Sequence, residues 1–171
     1  DGDVDLVVSC PDVPYNGIYF FENPDGNVKM PTFKPAVKIA DGMFNISPSY
    51  VNGKARVLVP GEELTMRKGV ALESKEIYPD KRIHPDDRRI RGQQWKYADF
   101  DGDGALDLIV AAGDWTDYGW EDAYNEKGEW VRGPLHASIY WIRNTASTDK
   151  PIYAKPELIK ADGKPVGGPG I

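Results

Sequence analysis

Three stretches of this chain share one pattern, a Gly turn that feeds an apolar β-branched run, and they recur at a fixed spacing. Asp1-Gly2-Asp3-Val4-Asp5-Leu6-Val7-Val8 aligns with Asp103 to Val110 at an offset of 102 residues. Half of that offset, 51, lands on Asn52-Gly53-Lys54-Ala55-Arg56-Val57-Leu58-Val59. Evenly spaced self-similarity of this length is the mark of a repeat architecture, in which each unit buries its apolar face against the next. Later segments echo one another too. Ile18-Tyr19-Phe20-Phe21-Glu22-Asn23 returns as Ile139-Tyr140-Trp141-Ile142-Arg143-Asn144, Pro31-Thr32-Phe33 as Pro151-Ile152-Tyr153, and Ala40-Asp41-Gly42 as Ala161-Asp162-Gly163.

Each unit reads as an apolar strand, a turn, an aromatic strand, a second turn and a shorter strand around Val37–Ile39 or Leu158–Ile159. Short strands punctuated by Gly, Pro, Asn and Asp predict an all-β fold. The stretch Glu62 to Glu76 is the one competitor for helix. Its apolar residues Leu64, Met66, Val70 and Leu72 favour a spacing of two, and Gly69 interrupts them, so strand is expected there. Strand-rich units of roughly 40–50 residues predict β-propeller blades. The expected division is 1–47, a blade that starts inside its loop; 48–98, a degenerate blade; and 99–171, a blade with an intact loop and an insertion at 111–138. Three blades do not close a ring of about 4–8, so the chain reads as a segment cut from a larger propeller. The remaining blades would come from a longer polypeptide or another copy.

The most informative loop is Asp99-Phe100-Asp101-Gly102-Asp103-Gly104-Ala105-Leu106-Asp107. Its acids stand at positions 1, 3, 5 and 9, with glycines at 4 and 6. A hard divalent cation such as calcium takes about 6–8 oxygens, and a tightly wound loop with alternate acids supplies them. The expected ligands are Asp99, Asp101, Asp103, the Ala105 carbonyl and Asp107. An EF-hand would need a Glu at the twelfth position and flanking helices, but that position is Val110 in an apolar run. The alternative is an acidic surface turn without an ion. In the middle unit Pro48, Tyr50, Asn52 and Arg56 occupy the acid positions, so no calcium is expected there. The first unit retains Asp1, Asp3 and Asp5, which leaves a partial second site open.

These features resemble the FG-GAP/VCBS repeat family, the calcium-loop propeller repeats of integrin α-subunits and many secreted bacterial proteins. The resemblance rests on Asp99 to Asp107 running into Leu108-Ile109-Val110, on aromatic strands that end in Asn, and on the Pro-x-aromatic and Ala-Asp-Gly echoes. It is strong over 1–42 and 92–165 and weak over 43–91. It implies a propeller, usually seven-bladed, with calcium in loops that lead into strands, and a secreted, periplasmic or cell-surface location.

Composition narrows the function. A net charge of −6, from 21 basic and 27 acidic residues, argues against a general nucleic-acid binder. The single cysteine, Cys10, excludes an internal disulfide framework and a multi-cysteine zinc site. No apolar run approaches the roughly 18 residues of a membrane span.

The last unit carries an insertion. Nine residues separate Val8 from Ile18, whereas 28 separate Val110 from Ile139. The stretch Ala111–Ser138 holds Trp115, Tyr118, Trp120, Tyr124, Trp130 and His136. Because extra residues in a strand threaten its register, the insertion is expected to loop out. There Trp115, Tyr118, Trp120 and Trp130 either pack together or offer flat faces to a sugar. Residues 79–94 mix Arg and Lys with Asp, as a solvated connection or a patch for an acidic polysaccharide. The histidines His84 and His136 are the catalytic candidates, yet no G-x-S-x-G, Walker or H-E-x-x-H motif is present. The expected function is a calcium-stabilised extracellular module that presents loops to glycan or protein. The alternative is part of a propeller polysaccharide lyase or glycoside hydrolase acting on an acidic polysaccharide.

Overall fold

The computed structural model describes residues 4–26, 29–67, 71–81, 83, 90–114, 124–129, 131 and 136–168. Among these the chain is all-β and forms four antiparallel sheets without a helix. The first sheet orders β1 (Leu6–Cys10), β2 (Gly17–Phe21) and β3 (Val37–Ala40) side by side. The second is a meander of β4 (Ser47–Val51), β5 (Lys54–Val59), β6 (Glu62–Arg67) and β7 (Ala71–Glu76). β6 and β7 thus pair as antiparallel strands, as the spacing of two requires, with Leu64 opposite Ser74 and Met66 opposite Leu72.

The third sheet runs β8 (Ile90–Ala98), β9 (Asp107–Asp114), β10 (His136–Ile142) and β11 (Glu157–Leu158). Further along β10 the same edge takes β14 (Gly167–Gly168). A small fourth sheet joins β12 (Lys160–Ala161) to β13 (Lys164–Pro165).

The turns follow from local chemistry. Val51 faces Lys54 across Asn52-Gly53, whose φ values are 50° and 74°. Positive φ at both central residues is the hairpin turn that matches strand twist, and Asn-Gly suits it best.

Two strands lie N-terminal to the repeated turns, where the sequence pattern indicated none. β4 precedes the Asn52-Gly53 turn and β8 precedes the Asp loop, so each turn joins two strands of one sheet. The apolar runs Val57–Val59 and Leu108–Val110, which open their units in the sequence pattern, are therefore each preceded by another strand of the same sheet. β4 is polar at Ser47 and Ser49, and β8 begins with Arg91, Gly92, Gln93 and Gln94 after Ile90, which hides them from a search for apolar runs.

β4 and β8 run side by side in the same direction. Ser47 Oγ donates to the Trp95 carbonyl at 3.0 Å, and the Tyr97 N–H donates to Ser49 Oγ at 2.8 Å. β8 is the edge of its sheet, and hydroxyls from β4 satisfy backbone groups that an edge would leave open. The core lies on the same side: Leu58 packs with Tyr78, Ile83, Trp95, Tyr97, Leu108, Val110, Ala112, Tyr140 and Ile142. Each fully buried Leu, Val or Ile there contributes about 2 kcal/mol by leaving water.

The inserted stretch also departs from expectation. β9 continues through Asp114 and β10 begins at His136, with Ala112 opposite Ser138 and Asp114 opposite His136. Both ends of 111–138 therefore enter the sheet. Lengthening a hairpin equally on both strands preserves the alternation of faces, so register is no obstacle. No described helix is long and apolar enough to cross a membrane.

Candidate metal centre

The Asp loop is the tip of the β8–β9 hairpin, and its own hydrogen bonds wind it. The Gly104 N–H donates to Asp99 Oδ2 at 3.1 Å, the Asp103 N–H to Asp101 Oδ1 at 3.3 Å, and the Ala105 N–H to Asp103 Oδ1 at 2.8 Å. Gly104 sits at φ 87°, a left-handed conformation that a side chain resists. Asp99, Asp101 and Asp103 each offer a carboxylate oxygen, and these oxygens lie within 4.8 Å of one another. Among the described residues this is the one group of three such side chains that could hold a metal ion.

Asp107 is placed differently. It is fully buried, and both carboxylate oxygens accept backbone N–H groups: Oδ2 from Phe100 at 3.1 Å and Oδ1 from Asn144 at 2.7 Å. It ties the foot of the loop to the end of β10 and does not stand among the three exposed acids. A carboxylate has about four lone-pair sites, so these bonds leave Asp107 acceptor capacity. Ala105 is buried beside it, with 5% of its surface exposed.

Four residues outside the loop complete the surroundings. The Asn144 side chain donates to the Leu106 and Ser147 carbonyls at 3.3 and 3.1 Å, and its oxygen accepts the N–H groups of Ala146 and Ile152. Thr148 Oγ1 accepts the Leu106 N–H at 3.0 Å. Arg143 Nη2 lies 2.8 Å from Asp101 Oδ2 and 3.7 Å from Asp103 Oδ2. Its guanidinium sits over the Trp141 ring at 5.8 Å, and Trp141 meets Phe100 of the loop in a tilted contact with ring centroids 5.3 Å apart. Sequence reasoning gave Asn144 no role at the loop, although its echo at Asn23 was a signal, and it gave Arg143 and Thr148 none at all.

The first unit repeats part of this geometry. The Asn23 N–H donates to Asp5 Oδ1 at 2.9 Å, and Asn23 Nδ2 donates to the Val4 carbonyl at 3.2 Å. Asp1 and Asp3 lie outside the described residues. In the middle unit, Arg56 stands where the repeat would put an acid. Its Nε donates to Glu63 Oε1 at 2.6 Å, and its guanidinium lies 4.1 Å over the Tyr97 ring. The hydrogen bond to Glu63 is the main reason the Arg56 pKa is raised further. Burial pushes the Tyr153 phenol up to about 12, and it also raises Tyr97, with the Glu63 charge adding to both.

The aromatic candidates Trp115, Tyr118, Trp120 and Trp130 lie outside the described residues, as does His84. His136 opens β10 with its backbone paired to Asp114, and its side chain is likewise outside them. Compared with models of protein families, with curated proteins and with solved structures, the chain matches none.

Proposed function

We propose that the chain is a run of three β-propeller blades of FG-GAP/VCBS type, from a larger seven-bladed ring, in which the Asp99–Asp107 loop holds a structural calcium ion. The module works outside the cytoplasm and presents loops to a glycan or protein. The observation that carries this reading is the oxygen-only triad of Asp99, Asp101 and Asp103 at the tip of a hairpin. The donor set fits the ion: hard carboxylates, no nitrogen or sulfur, on a loop wound by its own N–H groups. Asp99, Asp101 and Asp103 would hold the calcium, with the Ala105 carbonyl and the spare lone pairs of Asp107 as further donors. The ion would neutralise the clustered acids and brace the hairpin.

The side-by-side β4 and β8 support the propeller part, since first strands of neighbouring blades run alike around a ring. Residues 111–138 are the proposed sugar face, through Trp115, Tyr118, Trp120 and Trp130.

Calorimetric titration of chelator-stripped protein with calcium tests the ion. One binding event per chain, lost in Asp103→Ala, is expected. A flat titration of folded wild type would overturn the calcium reading. A glycan array with the wild type and a Trp120→Ala, Trp130→Ala double variant tests the ligand. Equal binding by both would remove the sugar face.

A further inference from the structure

We propose that Arg143 and a divalent cation compete for the same two carboxylate oxygens, so that Arg143 acts as a built-in counter-ion that sets the metal affinity of the Asp loop. The proposal rests on the calcium reading above and adds to it a residue outside the loop motif.

The oxygens involved are specific. Asp101 and Asp103 each use Oδ1 to accept an N–H of the loop, which leaves their Oδ2 atoms for a cation. Those two Oδ2 atoms are the ones Arg143 Nη2 approaches, at 2.8 and 3.7 Å. One nitrogen thus approaches two of the carboxylates that would hold the ion. A guanidinium that merely supported bound ligands would be expected to grip one carboxylate from its outer side with both arms.

The backbone fixes where the side chain starts. Arg143 follows the last residue of β10, its carbonyl accepts the Ala154 N–H at 2.8 Å, and the next residue, Asn144, is bonded to Asp107. The Trp141 ring, itself in contact with Phe100, then lies under the guanidinium. The side chain is still 51% exposed, so it can swing into water when displaced.

Two consequences oppose each other. The positive charge offsets repulsion among clustered acids, which favours the wound loop without an ion. The same charge and the same contacts must be given up when a cation enters, which weakens binding. Arg143 therefore trades affinity for a loop already in shape.

The test uses R143Q and R143K, with calcium titrations and thermal melts in excess chelator. Calcium affinity is expected to rank R143Q tightest, R143K next and wild type weakest. The span from first to last should be about three- to tenfold, shrinking as salt rises. In chelator, R143Q should melt below wild type. If wild type binds calcium and R143Q binds equally or more weakly, the competition is wrong while the calcium reading stands. Should R143Q not fold, R143K against wild type decides by the same ranking. If folded wild type and both variants bind no calcium, both proposals fall.

Discussion

Asp107 and Asn144 are bound to one another across 37 residues, and the contact ties the foot of the acidic loop to the end of β10. The Asn144 N–H meets a carboxylate oxygen at 2.7 Å, and its side chain takes part in four more hydrogen bonds. The same pairing of an acid with the Asn that ends an aromatic strand occurs at Asp5 and Asn23. The sequence echo between these segments thus reflects a shared device that fastens the base of a turn to the end of the strand beyond it.

Asn144→Ala is expected to be the most damaging single change near the loop. It removes the side-chain bonds and leaves part-buried backbone groups, among them the Ile152 N–H, without that partner. About 2–4 kcal/mol should be lost, which lowers the melting temperature by roughly 4–16 °C for a chain of this size. Chemical denaturation of the variant beside wild type measures it. A loss within error of zero would mean that the pairing adds nothing to stability.

Calcium should raise stability by mass action, because the wound loop exists only in the folded chain. At a free concentration one hundred times the dissociation constant the gain is about 2.7 kcal/mol. A melt in excess chelator should therefore begin earlier than one in calcium. Asp103→Ala should melt at one temperature in both. Magnesium should substitute poorly, since it prefers to keep several waters and takes few protein ligands. Identical wild-type melts with chelator and with calcium would count against the structural ion.

How much of this was legible beforehand depends on how local each feature is. The Asp99, Asp101 and Asp103 group lies within five consecutive residues, and spacing alone identifies it. The strands β1, β2, β5, β9 and β10 are apolar or aromatic runs and are equally plain. β4 and β8 are harder to see, because Ser47, Ser49 and Gln93 are polar residues buried where neighbouring strands meet. Arg143 and Asn144 reach the loop only through the β9–β10 pairing, across an insertion whose length no periodicity can anticipate. The sheet extension through Asp114 and His136 escapes the register argument, because register limits unequal insertions, not equal ones.

The tyrosines beside Arg56 and Glu63 predict a loss of stability at alkaline pH. Burial raises the Tyr97 and Tyr153 pKa values above the ordinary 10, Tyr153 to about 12. A group whose pKa is higher in the folded state holds its proton there after the unfolded chain has released it. Its contribution is thus complete below about pH 10 and declines as pH rises toward 12. Urea denaturation at steps from pH 8 to 11.5 should show a plateau and then a fall. Tyr153→Phe should flatten part of that fall. A variant with the same alkaline slope as wild type would show that Tyr153 does not carry it.

β1 predicts association. Leu6 and Val8 are 40% and 39% exposed, whereas their counterparts at the 102-residue offset, Leu108 and Val110, are fully buried. β9 is paired on both sides, by β8 and β10, while β1 has only β2 among the described residues. An apolar strand with an open edge is a template for pairing with another chain. In the proposed ring a neighbouring blade would cover it; in the isolated chain a second copy is the available cover. Sedimentation of the 171-residue chain at micromolar concentration should therefore show species larger than a monomer. Val8→Lys places a charge on the face that is buried in the third sheet, at a position already in contact with water. The fold should survive, because an exposed Lys keeps its head group in solvent, and the larger species should diminish. A wild-type chain that sediments as a monomer, or a folded V8K that associates just as strongly, would show that the β1 edge is not where this protein meets its neighbours.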